Sequence, residues 1–166
     1  GSTTTFGLYS YKDLNTPVAG NAAYTSGGTV AKLFRLPNVA RVAAGSGYIV
    51  KGQVFNDQKD KLMQIRVHVF HTAVAAILDN SPYLKLYANV ASRSTEILFP
   101  TMTTEDPTNS TAAGAIAVPG TASANVPSAY VCAASNRDLY FMLETLTAFT
   151  PTSGQKFYVK FTFDNN

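Results

Sequence analysis

Two histidines three positions apart, His68 and His71 in the run QIRVHVFHTAV (64–74), are the residues of this chain whose type and spacing most invite a chemical role. Imidazole titrates near neutral pH and ligates metals, so a close pair raises general-base catalysis and metal binding together. The local pattern decides against a shared metal. The run is β-branched and alternating, which reads as a strand, and residues three apart on a strand point to opposite faces. His68 then falls with Gln64 and Arg66, and His71 with Ile65, Val67 and Val69. A helix would reunite the two rings, yet a metal would still lack further ligands at a recognisable spacing. His68 beside Arg66 reads as a solvent-facing or interface residue, and His71 as a polar group at the core margin. No nucleophile elbow or similar local motif supplies the partner that a general base needs.

The carboxylates form no better constellation. Glu105 and Asp106 adjoin in TTEDPT, where a Pro-bounded turn explains them more simply than the two separated carboxyl groups of a glycosidase. Asp57 and Asp60 in NDQKDK lack the dense Asp, Asn and Gly spacing of a calcium loop and read as a solvated turn. GSG at 45–47 lies between extended segments and opens no helix, so it reads as a turn and not as a phosphate cradle. Asn109 matches a glycosylation sequon without a secretory signal to give the match meaning. Cys132 is the single cysteine, which excludes an internal disulfide, and its apolar surroundings AYVCAA point to a buried core thiol. No catalytic residue, cofactor or metal is expected.

Composition bounds the remaining possibilities. The 166 residues suit one domain, and no apolar run approaches a membrane span, so a soluble protein is expected. Gly1 and Ser2 read as a scar of tag removal. Charged residues are 14%, well below the roughly 25% of typical soluble domains. Thr, Ser, Ala, Asn and Gly replace them, a surface that can be buried against other subunits without desolvating many charges. The net charge of +3 comes from basic residues scattered singly from Lys12 to Lys160, which argues against direct nucleic-acid binding.

The elements that must position these groups are strands. KFYVKFTF sets Phe157, Val159, Phe161 and Phe163 on one face, and YIVKGQVF sets Tyr48, Val50, Gly52 and Val54 against Ile49, Lys51, Gln53 and Phe55. Gly52 marks a bulge or a close approach of another backbone. Further strands are predicted at 29–36, 63–72, 83–90, 94–100, 129–134 and 139–146, separated by turn-rich segments; TAVAAILDN (72–80) suits a short helical turn or an extended run equally. The pattern predicts an all-β fold, an antiparallel β-sandwich or jelly roll, as a single domain over 29–166. Two segments stand outside the alternation. A long loop, 101–127, carries Met102, Ile116 and Val118 among small residues, and an N-terminal arm, 3–28, carries Phe6, Leu8, Tyr9 and Tyr11. These seven apolar residues are the candidate interface to partner subunits, although the loop could equally fold back on its own domain.

The phrases AAGSGYIVKGQVFNDQ, IRVHVFHTAVAAILDNSPYLKLYAN and SNRDLYFMLETLTAFTPTSGQKFYVKF resemble small structural proteins of tailed bacteriophages, of the head-decoration or capsid-cement kind. The resemblance covers about three quarters of the chain, from Arg41 to Phe163, and is one of phrase and order without a catalytic motif. It implies a jelly-roll-like β-sandwich, often a trimer, that binds the major capsid protein on the outside of the assembled head and stiffens the lattice. It thus implies a non-enzymatic virion protein, assembled in the bacterial cytoplasm and located on the capsid surface, that makes no contact with membrane. The alternative is a carbohydrate or receptor-binding module of a phage tail or fibre, motivated by the same fold class and by nine tyrosines.

Overall fold

The structure is a computed structural model and describes residues 2–11, 26, 28–56, 58–75, 82–83, 87–104, 115–117, 126–150 and 157–165. Alternating β-branched and aromatic residues build its strands: β1 (Ser2–Tyr11), β2 (Gly28–Leu36), β3 (Ser46–Asn56), β4 (Ile65–Phe70), β5 (Arg93–Leu98), β6 (Thr103–Thr104), β7 (Ala115–Ala117), β8 (Ser128–Val131), β9 (Leu139–Thr145) and β10 (Phe157–Asn165). They form two antiparallel sheets. The first runs β1-β10-β3-β7-β6, with β8 also paired to β3, and the second runs β2-β9-β4-β5. The chain is therefore all-β, as its alternation predicts.

One hydrophobic core takes residues from both sheets. Phe157, Val159, Phe161 and Phe163 of β10 are all buried, as are Ile65, Val67 and Val69 of β4 and Phe141 and Leu143 of β9. Phe161 meets Phe141 of the opposite sheet edge-on, with centroids 6.1 Å apart and planes at 80°, a favoured aromatic geometry. At one margin, Ser128 Oγ of β8 donates to Thr95 Oγ1 of β5 at 2.9 Å and joins the sheets directly.

Register changes one reading of the sequence. Thr162 pairs with Lys51 but Phe163 pairs with Ile49, so Val50 is an extra residue, a bulge in β3. Beyond the bulge the parity reverses: Ile49 is buried and Tyr48 is 47% exposed, the opposite of unbroken alternation. Gly52 lies two residues from the bulge, and what crowds it is not backbone. A Cβ there would sit 3.0 Å from Phe99 Cζ and 3.1 Å from Phe161 Cε1. Gly47, read as part of a turn, lies inside β3. A Cβ at that position would stand 2.5 Å from the Asp164 carbonyl oxygen, so the close approach of β10 requires glycine.

Three further expectations differ from what is found. The arm 3–28 is largely replaced by strand where it is described: β1 pairs along β10, placing Phe6 opposite Phe161, Leu8 opposite Val159 and Tyr11 opposite Phe157. Threonine-rich sequence hid this strand, although β-branched Thr favours extended backbone. The loop 101–127 contains β6 and β7, which fold back so that β7 pairs with Val54–Asn56 of β3, beside the part of the β3 edge that β8 leaves free. A strand predicted at 83–90 is instead a 3-10 turn over Tyr87–Ser92. Both edges of β4 are already taken, by β9 and β5, so the segment that follows it has no edge there to join. Residues 72–75 form no helix, and 76–80 lie outside the described residues.

Candidate functional site

The strands carry a polar cluster on the face of the second sheet that looks away from the core. Parity along β4 puts Arg66 and His68 on that face while Val67 enters the core. Neighbouring strands supply the partners: Glu144 of β9 is in register with Arg66, and Glu96 of β5 with His68. His68 Nε2 lies 2.8 Å from Glu144 Oε1, and the same oxygen accepts from Arg66 Nη1 at 3.3 Å. His68 Nδ1 lies 3.5 Å from Glu96 Oε2, which accepts from Arg93 Nη2 at 3.0 Å. The β4–β5 connection places the Tyr83 ring over the imidazole, 3.9 Å between centroids and 12° from parallel.

This roof overturns the solvent-facing alternative of the two read for His68, solvent-facing or interface. Its side chain is 0% exposed, and Phe70 and Met142 on the same face are buried too. The outer face of this sheet is thus covered around His68, Phe70 and Met142, while Arg66 keeps a quarter of its side chain exposed. Charge-assisted contacts compensate the burial of His68 and Glu144, because an unpaired buried ion would be costly.

The chemistry available to the cluster is limited by access. A proton can pass between His68 and its carboxylates, but general acid–base catalysis needs the ring within reach of a substrate, and Tyr83 covers it. The two carboxylates flank opposite ring nitrogens, so they cannot converge with His68 on one ion. No group of three metal-ligating side chains occurs among the described residues. His71 does not join the cluster. Just past β4, half-buried, it lines an adjoining open groove of about 320 Å³ with Arg93, Ser94, Ala129, Tyr130 and Val131.

Burial pushes the Tyr83 hydroxyl up to about 12; Arg93 opposes the shift, and Glu144 and Glu96 add to it. The unfolded chain loses this proton near its ordinary value of about 10, before the folded one does. Stability contributed by Tyr83 is therefore complete below pH 10 and lost as pH rises from about 10 to 12. The expected result is a smaller fall in urea midpoint over that window for Tyr83→Phe than for the parent; equal slopes would contradict it.

The other sequence-derived site residues are dispersed. Met102 is buried in the core with its sulfur 3.0 Å from Asn56 Nδ2, so it is unavailable to a partner and the interface reading is corrected at that position. The loop that carries it returns to its own sheet. Phe6, Leu8, Tyr9 and Tyr11 belong to β1 and Ile116 to β7. Val118, Asp57, Glu105, Asp106 and Asn109 lie outside the described residues. Asp60 is exposed in a turn.

Cys132 is buried, and burial, aided by Asp138, pushes its thiol up to about 11. Only the thiolate is an effective nucleophile. Native protein at pH 8 is expected to react with a disulfide reagent at least about a hundredfold more slowly than protein in urea, read by absorbance. Comparable rates would place the thiol at the surface.

Glu96, Glu144 and Tyr83 were not singled out from sequence. The signal was present: a lone carboxylate within the apolar strand LYFMLETL needs a partner when the strand is buried. Compared with family models, curated proteins and solved structures, the chain matches none.

Proposed function

We propose that this chain is a non-enzymatic structural protein of a virion, a decoration or cement protein that binds the major capsid protein on the assembled phage head and associates with copies of itself. The observation that carries the reading is the order of strand pairing. With the β6–β7 ladder set aside as an insertion, first pairs with last (β1·β10), second with next-to-last (β2·β9), third with β8 and fourth with fifth (β4·β5). The ribbon then wraps so that β10 meets β3 and β9 meets β4. This order of pairing supports reading the two sheets as a jelly-roll sandwich, an architecture frequent in capsid and lectin domains. Fold alone assigns no function; the phage-like phrases of the sequence and the enclosure of His68 beneath Tyr83 add to it.

Purified protein mixed with expanded heads of intact major capsid protein is expected to co-sediment to a saturating stoichiometry. Absence of binding under those conditions would count heavily against the reading.

Two exposed aromatics favour the second reading, a carbohydrate or receptor-binding module of a tail or fibre. Tyr87 is 89% exposed on the 3-10 turn and Tyr48 47% exposed on β3. Such rings can stack on sugars. Glycan binding that disappears in Tyr87→Ala or Tyr48→Ala, without capsid binding, would favour it over the first. No helix among the described residues is long and apolar enough to cross a membrane.

A further inference from the structure

We propose that the edge of β1 with no strand partner among the described residues pairs with the β1 edge of a second copy of this chain, antiparallel and about a two-fold axis, joining two six-stranded sheets into one. Unpaired strand edges present rows of backbone donors and acceptors, and native proteins blunt those meant to stay free with short length, charge, proline or bulges.

The other edges here are blunted. β6 has two residues and β8 four, with β8 tied to β5 through the Ser128–Thr95 hydroxyl bond. β5 carries Arg93 and Glu96 in six residues. β2 carries Lys32 and Arg35, and its register is irregular between Val30 and Phe34.

The β1 edge has none of these over most of its length. Its ten residues, STTTFGLYSY, include no charge and no proline, and its ladder with β10 is regular from Ser2 to Leu8 before an irregularity between Leu8 and Tyr11. Among the described residues, β10 is its only strand partner.

The absence of charge permits a second copy as the occupant. Antiparallel self-pairing sets each residue of the strand opposite another residue of the same strand, and like charges directly opposite are destabilising. A strand with no charged residue meets its copy without that penalty, and two molecules of net charge +3 can approach through it more easily than through a basic surface. The Thr3–Thr5 run adds β-branched residues suited to cross-strand contact. This pairing does not rest on the virion reading, because heads could take up a monomer whose β1 edge stays free.

Sedimentation velocity over a range of concentrations is expected to show reversible dimers. Thr3→Lys and Thr5→Lys, at the register positions opposite Asp164 and Thr162 and not opposite the buried phenylalanines of β10, should each weaken dimerisation by about tenfold or more, partly restored by salt that screens the paired lysines. Their thermal midpoints should stay within a few degrees of the parent. If either variant fails to fold, hydrogen exchange of the parent serves instead: the β1 amides should become more protected as concentration rises, while β4 amides do not. A parent that is monomeric throughout, a dimer indifferent to both lysines, a trimer, or β1 protection independent of concentration would each overturn the proposal. Protection of β1 that appears only on adding capsid protein would overturn it as well, by giving the edge to a different occupant.

Discussion

Glu144→Ala should lower folding stability by about 3–5 kcal/mol, the range for removing one partner of a buried ionic pair. Glu144 is 7% exposed and serves two basic side chains at once, accepting from Arg66 and lying 2.8 Å from His68 Nε2. Its removal leaves His68, fully buried under Tyr83, with Glu96 at 3.5 Å as its remaining carboxylate. Arg66 keeps a partial route to water, since a quarter of its side chain is exposed, and can relax along its aliphatic stem. Most of the penalty therefore falls on the imidazole. Urea unfolding should show a lower midpoint at unchanged slope. The paired variant His68→Leu with Glu144→Leu should cost much less than the two single changes together, because it removes both buried polar groups instead of stranding one. A cost of under 1 kcal/mol for Glu144→Ala would mean that water reaches the cluster and that its role in fixing the register of β4, β5 and β9 is small.

Phe161→Ala should cost a similar 3–5 kcal/mol, through lost burial and the cavity left between sheets that cannot fully collapse. Phe161 stands at the centre of the core, edge-on to Phe141 across the sheets and 6.2 Å from Phe163 along its own strand. Gly52 opposite it tests the packing from the other side. A methyl group there would press on both the Phe161 and Phe99 rings, so Gly52→Ala alone should cost about 1–3 kcal/mol as overpacking. In the Phe161→Ala background one of those rings is gone. The double variant should then be more stable than the sum of the single effects by about 1 kcal/mol, measured as a coupling in a double-mutant cycle. Strict additivity would show that Gly52 is small for a reason other than the ring beneath it.

The interior of β4 and β10 was legible because each strand buries one face, and period-two alternation records that directly. Ile65, Val67, Val69 and the four apolar residues of β10 lie where their spacing predicts. Around Tyr48 the same rule failed, because a one-residue bulge at Val50 reverses parity, and the glycine that hinted at a bulge stands two residues from it. Met102 shows a different limit. An apolar residue in a long loop is ambiguous between a partner's surface and its own core, and the return of β7 to the free half of the β3 edge decided for the core.

By itself, the sequence determined an all-β chain, the separation of His68 from His71, and the inward residues of its strongest strands, since these follow from local alternation and the two faces of a strand. The tertiary structure decided whether the outward face was wet. Arg66 and His68 point away from the core as their positions require, but Tyr83 returns over His68, and strands distant in sequence bring Glu96 and Glu144 into register. A pair that began as a possible catalytic or metal site thus separates into a buried polar contact at His68 and a groove residue at His71. Local sequence encodes the direction of a side chain; what covers it depends on contacts between segments far apart along the chain.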